Sequence, residues 1–472
     1  MHRDGCISSQ GRVTCLNHAQ GDARPSRQLN NVRFARFAQA NAWLESHIDF
    51  EKVAPNRSDV PTLQPIHDTL AAIADPHHDY PKIHVTGTNG KGTTTTLISS
   101  LLHEWGLSVG TFVSPDLHRV NERILLNGEP VRDEQFTMLI SRLADVETAT
   151  GIVLTRFELL TVAAFLHFSD MGVDVAVIEV GMGGTWDSTN VIDADVSVLT
   201  NVSLDHTAVL GSSVAAIASD KVGIFRPGGC AVLGTINQTV VDIAEAKVAE
   251  LGSPLIRLGR DFALERNDLA VGGRMLDLHT PMGEYHQVLL TLHGIHQGMN
   301  ALTALVATET FLGRALTEDV VEAVFGLASM AGRMEVLEHY PLIMIDGAHN
   351  PAGVISLAET LEEAFHLAGQ RRVVIGMLTG REIADMIEPL VAIGVDEFIV
   401  CEPLSPRTQK AEAIAEVITS RGAHATVVLD PREAVRHARE LSGEDDQIIV
   451  AGSLYLVGDV RAGLLAIPHQ HR

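Results

Sequence analysis

Residues 82–96 read KIHVTGTNGKGTTTT and combine an apolar stretch, a glycine-rich turn and a run of threonines. The pattern predicts a β-strand over Ile83–Thr86, a turn over Gly87–Gly92 and a helix that begins near Thr93. Glycines let backbone N–H groups curl around anionic oxygens, and a helix N-terminus adds unpaired donors. Lys91 can reach the β- and γ-phosphates of a nucleotide. We therefore expect a polyphosphate-binding loop, with a tight strand–helix turn and an exposed lysine as the alternative.

Composition narrows the class of protein. The 472-residue length suggests two or three domains, and a hydrophobic content of 46% is ample for a folded core. The net charge of −24 argues against nucleic acid or an anionic membrane as the main partner. Scattered cysteines and the lack of an apolar run of about 18 residues predict a cytoplasmic protein. Residues 1–30 lack the apolar segment of a secretory signal, and we expect a disordered extension there.

Hydrophobic runs downstream of the phosphate loop alternate with helix-length segments. Strands are predicted at Val109–Val113, Val173–Val180 and Val196–Thr200. Because their β-branched runs are nearly continuous, they indicate a parallel sheet covered on both faces. Short alternating segments around Gly272 break this rhythm and predict hairpins. Residues 31–332 are therefore expected to form a first α/β domain that contains the phosphate loop.

The strand–helix alternation restarts after Gly332. It predicts a smaller doubly wound, Rossmann-like domain over residues 333–472, with a hinge near Ala331–Glu335. The predicted strands of this domain are Leu342–Ile345, Val373–Ile375, Phe398–Val400, Thr426–Leu429 and Ile448–Val450.

In an open parallel sheet, ligands bind at the carboxyl ends of the strands, so polar residues at these positions are candidates for the binding site. Ser114, Glu179 and His206 each lie at or just after the end of a predicted strand. They should converge on the phosphate loop, where a carboxylate and a hydroxyl suit Mg²⁺. A structural carboxylate at Glu179 and a core histidine at His206 are the alternatives, and imidazole is an unusual Mg²⁺ ligand.

A series of short motifs runs in order from about residue 40 to residue 462. Its members are Thr86-Gly-Thr-Asn-Gly-Lys-Gly-Thr93, Ser114-Pro115, Glu122-Arg123-Ile124, Glu179-Val-Gly-Met-Gly-Gly184, Asp205-His206-Thr207, Lys221-Val-Gly-Ile224, His296-Gln297, Gly332-Arg333, Asp346-Gly-Ala-His-Asn-Pro351 and Gly452-Ser-Leu-Tyr-Leu-Val-Gly458. Together these motifs resemble the Mur ligase superfamily and, within it, the bifunctional dihydrofolate synthase/folylpolyglutamate synthase family.

The resemblance implies ATP-dependent amide ligation in folate biosynthesis and one-carbon metabolism. Family members phosphorylate a substrate carboxylate with the γ-phosphate of ATP, and the α-amine of L-glutamate then attacks the acyl phosphate. The implied small molecules are ATP, two Mg²⁺ ions, L-glutamate, and dihydropteroate or a reduced folate. The resemblance also implies a monomer, with neither nucleic acid nor a membrane as partner.

The resemblance further implies a role for individual residues. Those expected to hold the phosphates, adenine and ribose of ATP are Gly90, Lys91, Gly92, Thr93, Asn300, Arg333 and Asp346. Those expected to bind the two Mg²⁺ ions are Ser114, Glu179 and His206.

Lys91, Lys221 and His349 are expected to be catalytic, and Ser453 is expected to bind substrate. Lys221 matches the lysine that is carbamylated in the family, where the carbamate supports the second metal ion. From the residues alone, Lys221 would be interpreted as a surface helix lysine. His349 and Ser453 fall in motifs that face the cleft and handle glutamate or ATP.

By the same resemblance, the pterin pocket lies around the segment 47–50, the helix start at 155–158 and the loop at 186–188. Trp186 offers a ring face for stacking on a flat heterocycle, with an ordinary loop anchor as the alternative. The residues expected to contact this substrate are Asp49, Phe157, Glu158, Trp186, Asp187 and Ser188.

Some positions depart from the family pattern and leave substrate preference open. Thr185 stands where Arg is usual, Asp116 where His is common, and Gly380-Arg381 where an Asp-Lys pair is usual. Two other functions remain: a related Mur-type ligase that adds an amino acid to another carboxylate, and a degenerate ATP-binding regulatory homologue. The Gly452–Gly458 motif weighs against the first, and the retention of the phosphate-loop lysine and metal-site residues weighs against the second.

Overall fold

The computed structural model describes residues 33–52, 62–205, 207–366 and 368–465. The extension expected at residues 1–30 and the predicted metal ligand His206 lie outside these residues. Within them, no helix is long and apolar enough to cross a membrane. The predicted mixed α/β fold with two largely parallel sheets is confirmed.

The first sheet has eight strands in the order β4-β3-β2-β5-β1-β6-β7-β8. β2, β5, β1, β6, β7 and β8 run parallel, whereas β3 and β4 add an antiparallel edge that the sequence did not predict. The strands are β1 (Lys82–Thr86), β2 (Val109–Phe112), β3 (Ile124–Leu126), β4 (Glu129–Pro130), β5 (Val175–Glu179), β6 (Val196–Leu199), β7 (Cys230–Leu233) and β8 (Leu255–Arg257).

Helices cover both faces of this sheet. They are α1 (Phe37–Glu45), α2 (Gln64–Ala72), α3 (Lys91–Glu104), α4 (Asp133–Thr150), α5 (Arg156–Met171), α6 (Thr207–Leu210), α7 (Val214–Lys221), α8 (Gln238–Leu251), α9 (Ile295–Leu312) and α10 (Glu318–Gly326).

Helix α3 follows the phosphate loop and packs one face against the sheet and α9. It begins at Lys91 rather than near Thr93, because Gly90 takes a left-handed conformation (φ 79°) that ends the loop directly before it. Leu97, Ile98 and Leu101 are buried in the core cluster beneath the sheet. Burial of each such side chain contributes about 2 kcal/mol, so the core fixes the helix whose N-terminus faces the site.

Helix α5 shows how local sequence sets a boundary. The Thr155 hydroxyl accepts a hydrogen bond from the Glu158 backbone N–H at 3.3 Å, and the Glu158 carboxylate accepts one from the Thr155 N–H at 2.7 Å. This capping box satisfies two donors that the first helical turn would leave unpaired. The helix therefore starts at Arg156.

A three-stranded antiparallel sheet lies between the two parallel sheets along the chain. Its strands are β9 (Ala263–Ala270), β10 (Gly273–His279) and β11 (Glu284–Leu290), so the hairpins expected around Gly272 are confirmed. Arg274 on β10 is buried and forms a two-pronged ion pair with Glu363, at 2.7 and 3.1 Å. This pair joins the small sheet to the C-terminal part of the chain.

The C-terminal part, residues 333–465, contains a six-stranded sheet in the order β12-β13-β17-β14-β15-β16. All five predicted strands are present; the antiparallel β12 is additional. The strands are β12 (Glu335–His339), β13 (Leu342–Ile345), β14 (Arg371–Ile375), β15 (Glu397–Val400), β16 (His424–Val427) and β17 (Gln447–Ala451).

Helices flank this second sheet on both faces. Alternate residues along its central strands face opposite clusters: Val373 and Ile375 pack on one side and Val374 on the other. The helices are α11 (Pro351–Ala364), α12 (Ile383–Ala392), α13 (Ala411–Ser420), α14 (Pro431–Glu440) and α15 (Leu454–Leu465). The proposed boundary at residue 332 falls between α10 and β12 and stays a prediction.

One loop of the first sheet docks on the C-terminal part. Leu117, which follows β2, packs against the cluster that contains Val457 and Val460 of α15. Gly458 permits this approach, because a Cβ atom there would overlap the backbone carbonyl oxygen of Leu117. Backbone rather than a flexible side chain lies opposite, so the contact requires glycine.

We expect Gly458→Ala to destabilise the protein by about 1–3 kcal/mol, because the added methyl group displaces the Leu117 backbone. Gly463→Ala on the same helix is the matched control. A Cβ at Gly463 would meet no heavy atom of the described residues within 4 Å. The control should be neutral or stabilising by up to about 1 kcal/mol, since alanine favours helix. Urea unfolding of both variants measures the difference, and equal effects would contradict the docking argument.

Candidate active site

The candidate site lies where the three central strands of the first sheet end. β1 pairs in parallel with β5 on one side and β6 on the other. The phosphate loop, Glu179 and the segment after Leu199 therefore leave the sheet side by side. The sequence prediction that these strand ends converge is correct for every part that the structure describes.

Two glycines of the phosphate loop are required by close neighbours. A Cβ atom at Gly87 would overlap the Thr200 hydroxyl, and one at Gly90 would overlap the Asn300 side-chain oxygen. Asn300 is buried on α9 and also donates a hydrogen bond to Gln297 at 2.9 Å. The loop thus sits tightly between the end of β6 and α9.

Lys91 folds back over the phosphate loop. Its ammonium group donates hydrogen bonds to the carbonyl oxygens of Gly87 and Thr88, at 3.1 and 3.2 Å. This position places a positive charge directly over the loop, where the phosphates of a nucleotide would lie.

Glu179 is a carboxylate at the end of β5 with only 3% of its surface exposed. The Ser114 backbone N–H donates a hydrogen bond to it at 3.1 Å, the one hydrogen bond it receives within the described residues. Burial raises the pKa of Glu179 to about 7, against the opposing charge of Lys91. A buried carboxylate with so few partners fits a cation ligand, and Ser114, which lines the same cavity, would supply a hydroxyl oxygen as a second donor.

Among the described residues, no group of three or more His, Cys, Asp or Glu side chains is arranged to hold a metal ion. The third predicted ligand, His206, lies outside them. Among the described residues, Glu179 and the Ser114 hydroxyl would hold a metal ion at this site, and ligation by His206 stays a prediction. Such oxygen donors suit a hard cation such as Mg²⁺.

Lys221 is buried, with 3% of its surface exposed, so its interpretation as a surface helix lysine is wrong. Its ammonium group donates a hydrogen bond to the Gly87 carbonyl oxygen at 2.9 Å and lies 3.5 Å from that of Gly183. Gly184 lets the loop after β5 lie against the end of α7, because a Cβ atom at Gly184 would lie only 2.7 Å from the Lys221 Cα. Burial lowers the pKa of Lys221 to about 7, and the nearby Lys91 charge acts in the same direction.

The C-terminal part closes the other side of the site. Both carboxylate oxygens of Asp346 accept backbone hydrogen bonds at 2.8 Å, from Met334 and Ala348. The Nδ1 atom of His349 is 2.8 Å from the Gly347 carbonyl oxygen, and its Nε2 atom is 3.6 Å from Asp205. Asp346 therefore holds the loop between β13 and α11 in shape while its carboxylate faces the cavity.

One cavity of about 410 Å³ brings most of the predicted site residues together. A smaller cavity of about 150 Å³ adjoins it and is lined by Ser453, Tyr455, Arg381 and Arg407. The predicted residues that line the larger cavity are Gly90, Lys91, Gly92, Thr93, Ser114, Glu179, Lys221, Asn300, Arg333, Asp346 and His349.

The residues predicted for pterin contact line neither cavity. Phe157 packs against Gly181, Trp186 packs on the cluster around α7, and Ser188 begins a short 3₁₀ turn. Asp187 is buried and accepts hydrogen bonds from the backbone of Met182 at 2.8 Å and of Thr189 at 3.0 Å. Asp49 is buried and Glu158 caps α5. These contacts shape the wall behind the cleft, and direct substrate contact by these six residues stays a prediction.

Several polar residues of the cleft make contacts with one another that the sequence does not predict. Asp205 accepts hydrogen bonds from Arg381 and from Asn350, each at 3.1 Å. Asn350 also exchanges side-chain hydrogen bonds with Asn89 of the phosphate loop, at 2.9 and 3.3 Å. Asn350 and Asp205 stood within quoted motifs, but only their contacts across the cleft reveal what they do.

The departure at Asp116 has a structural partner. The Asp116 carboxylate pairs with the buried Arg123 guanidinium, which also binds Glu51 through two hydrogen bonds at 2.6 and 2.8 Å. Arg123 lowers the pKa of both carboxyl groups and offsets the opposing effect of burial. An aspartate at position 116 therefore completes an ion-pair cluster beside the smaller cavity.

Two family models match the chain: the Mur ligase middle domain over residues 85–308 and the Mur ligase glutamate ligase domain over residues 332–454. Together with the phosphate loop and the cleft between the two sheets, they define a Mur-type ligase.

Relatives narrow the class further. The dihydrofolate synthase/folylpolyglutamate synthase of Mycobacterium tuberculosis is 35% identical over 396 residues, which cover 79% of this chain and 78% of the relative. The Escherichia coli protein of the same name is 33% identical, over a match that covers 80% of this chain and 85% of that protein. The chain belongs to the dihydrofolate synthase/folylpolyglutamate synthase family, so the resemblance described above is confirmed.

Solved structures agree with this assignment. Folylpolyglutamate synthase of Mycobacterium tuberculosis, complexed with ADP and AMPPCP, matches with a TM-score of 0.84 and 32% identity, covering 92% of this chain and 99% of that one. Escherichia coli FolC, in complex with DHPP and ADP, matches with a TM-score of 0.81 and 27% identity, covering 91% and 98%.

We expect Glu179→Gln to stabilise the ligand-free protein while abolishing activity. The pKa of Glu179 in the folded state, about 7, exceeds its usual 4.5. Between pH 4.5 and pH 7 the folded state therefore keeps Glu179 protonated, whereas the unfolded state does not. The free energy of unfolding falls as pH rises through this range. Above pH 7 the glutamine variant should be more stable by about 1–3 kcal/mol, and the gain should vanish near pH 4.5.

The measurement is urea unfolding of the wild-type protein and the variant at pH 5, 6, 7 and 8. Glu416→Gln, at an exposed position on α13, is the control and should show no gain that grows with pH. A Glu179→Gln variant that is less stable than wild type at pH 8 would contradict the account of the buried charge.

Proposed function

We propose that the protein is an ATP-dependent ligase that joins L-glutamate to dihydropteroate, or to the γ-carboxylate of a reduced folate, through an acyl phosphate. The observation that carries the proposal is the single cavity in which the phosphate loop, a buried carboxylate and a buried lysine meet the loop after β13. The family assignment, and relatives solved with ADP, AMPPCP and DHPP, support the same activity.

The first half of the reaction brings together two anions, the γ-phosphate of ATP and a substrate carboxylate. Lys91 and the N-terminus of α3 reduce their repulsion, and they are held in place before the substrates arrive. Mg²⁺ held by Ser114 and Glu179, with His206 by resemblance, would add positive charge at the same phosphates. We place the adenine, the ribose and a phosphate of ATP in the part of the cavity that is lined by Asn300, Arg333 and Asp346.

Carbamylation of Lys221 is part of the proposal. With the pKa of Lys221 lowered to about 7, a substantial fraction of the amine is neutral at physiological pH. The neutral amine attacks the carbon of CO₂, a C–N bond forms, and one proton leaves to solvent. The resulting carbamate is an anion beside the phosphate loop, where it would supply oxygens to the second Mg²⁺ ion.

The second half of the reaction needs a place for glutamate, and the smaller cavity suits it. Arg381 and Arg407 line this cavity with Ser453, and the Arg381 Nε atom is buried without a hydrogen-bond partner among the described residues. Guanidinium groups bind carboxylates with matched geometry. Ser114 and His349 line both cavities. We therefore place the attack of the glutamate amine on the acyl phosphate where the two cavities adjoin.

The domain organisation belongs to the same proposal. Residues 31–332 would grip ATP through Gly90–Thr93 and Asn300, Asp346 of residues 333–472 would reach it from the other side, and glutamate would bind where the two parts meet. Movement about Ala331–Glu335 would bring amine and acyl phosphate to about 3–3.5 Å. Closure would also exclude the water that hydrolyses an acyl phosphate. A monomer in the cytoplasm completes the proposal, with free thiols at Cys230 and Cys401 in keeping with a reducing compartment.

ADP release tests the activity. We expect it to require L-glutamate together with dihydropteroate, tetrahydrofolate or both, and to be absent with a nucleotide-linked peptidoglycan precursor. Lys91→Ala should lower the rate by on the order of 10³-fold or more, because the charge over the phosphates is lost. The control Lys247→Ala removes a partly exposed lysine that pairs with Glu250 and should behave as wild type. Near-normal turnover in Lys91→Ala would disprove the site assignment.

The carbamate has its own test. Lys221→Ala should be almost inactive, and short carboxylic acids such as acetate should restore part of the rate by replacing the lost carboxylate. Native mass spectrometry of the active enzyme should detect one added CO₂, and ¹³C NMR with labelled bicarbonate should show the carbamate carbon. Lys410→Ala, at an exposed position, should leave both signals unchanged. An unmodified Lys221 in fully active enzyme would refute this part of the proposal.

A further inference from the structure

Asn350 occupies the turn between β13 and α11 and is almost completely buried, with 1% of its surface exposed. Its side-chain oxygen caps α11 by accepting a hydrogen bond from the Gly353 N–H at 2.8 Å. Its side-chain NH₂ group donates to the Asn89 side-chain oxygen at 2.9 Å and to the Asp205 carboxylate at 3.1 Å. One side chain therefore touches its own helix, the phosphate loop and the segment after β6.

The phosphate loop is firmly held on its other side. The Asn89 backbone N–H donates to the Asn201 side-chain oxygen at 3.1 Å. The Asn89 carbonyl oxygen accepts hydrogen bonds from Thr200 at 2.7 Å and from Asn201 at 2.9 Å. Within the described residues, the hydrogen bonds from the C-terminal part to Gly87–Gly92 are the two between Asn350 and Asn89.

The chemistry of the amide shows that capping alone does not explain this residue. Serine or aspartate caps a helix about as well as asparagine, because the cap needs only an oxygen acceptor. Neither could make the two donated hydrogen bonds, and an aspartate would place a second carboxylate against Asp205. The NH₂ group of Asn350 thus serves the contact across the cleft.

We propose that Asn350 is a positioning residue for ligation: it couples the conformation of the phosphate loop at Asn89 to the placement of α11 and of the smaller cavity. When the loop holds ATP, this contact sets the distance between the acyl phosphate and the glutamate amine. The inference rests on the proposed function for its catalytic consequence, while the coupling itself concerns the ligand-free fold.

The informative variant is Asn350→Ser, which keeps the capping oxygen and removes the NH₂ donor. Asn237→Ser is the matched control, because Asn237 caps α8 through Val240 far from the cleft. Asn350→Ser should unfold at a somewhat lower temperature than Asn237→Ser, because it also loses two donated hydrogen bonds at a buried position, and both variants should remain folded under assay conditions. Asn350→Ser should lower kcat by on the order of 10- to 100-fold, the loss typical of a small misplacement of reactants. The KM for the folate acceptor should stay unchanged, while more ADP forms per ligated product.

Hydrogen exchange gives a readout that needs no substrate. Peptides covering residues 84–95 should exchange faster in Asn350→Ser than in wild type or Asn237→Ser, although the contact joins residues 261 apart in sequence. A double variant, Asn89→Ser with Asn350→Ser, should lose no more kcat than the worse single variant, because the two side chains act through each other.

The outcomes separate the two proposals. If wild-type protein shows no acceptor-dependent ADP release, the proposed function fails. Hydrogen exchange of the phosphate-loop peptides then decides whether Asn350 is coupled to Asn89. If wild type is active and Asn350→Ser matches it in kcat and in exchange, the positioning role is wrong. Independent, multiplying losses in the double variant would also overturn it, since the pair would then not act as a unit.

Discussion

Parallel pairing of β1 with both β5 and β6 decides where the chemistry of this protein lies. The register sets Val85 opposite Glu179 and Thr86 opposite Leu199, so three strands end at one level. A slip of one residue would turn Glu179 to the other face of the sheet, away from the phosphate loop. The cores on both faces prevent such a slip, because every residue of β1 and β5 is buried. The hydrophobic packing of the sheet is thus what holds a carboxylate at the site.

Charge is distributed unevenly between the surface and the cleft. A chain of net charge −24 places Lys91, Lys221 and Arg333 around one cavity. The two lysines repel each other and Glu179 lacks solvent, so the cleft without its ligands stores unfavourable electrostatic energy. Anionic substrates with their cations relieve it. Under the proposed function, the stability given up in the resting protein would therefore favour the binding of polyphosphate.

Local patterns predicted the parts of the fold that local interactions decide. The glycine-rich turn identified the phosphate loop, and runs of β-branched residues located the parallel strands. The sequence pattern did not predict β12, because its residues are mostly half-buried and polar, as is usual for an edge strand. The burial of Lys221 could not be predicted, since it depends on Gly184 lying against the end of α7. The resemblance assigns Glu158 and Asp187 to the pterin pocket. In the structure Glu158 caps α5 and Asp187 accepts a hydrogen bond from the Met182 backbone, and substrate contact by either residue stays a prediction.

The position of β17 has a consequence for how the chain is made. Residues 447–451 insert between β13 and β14, at the middle of the second sheet, although they are the last of its strands to be synthesised. The first sheet, by contrast, is complete once residue 257 has left the ribosome. A nascent chain therefore carries a finished N-terminal sheet beside two half-sheets whose facing edges are open. Such edges invite pairing with other chains. The interval before β17 emerges is thus when this protein most needs protection from aggregation.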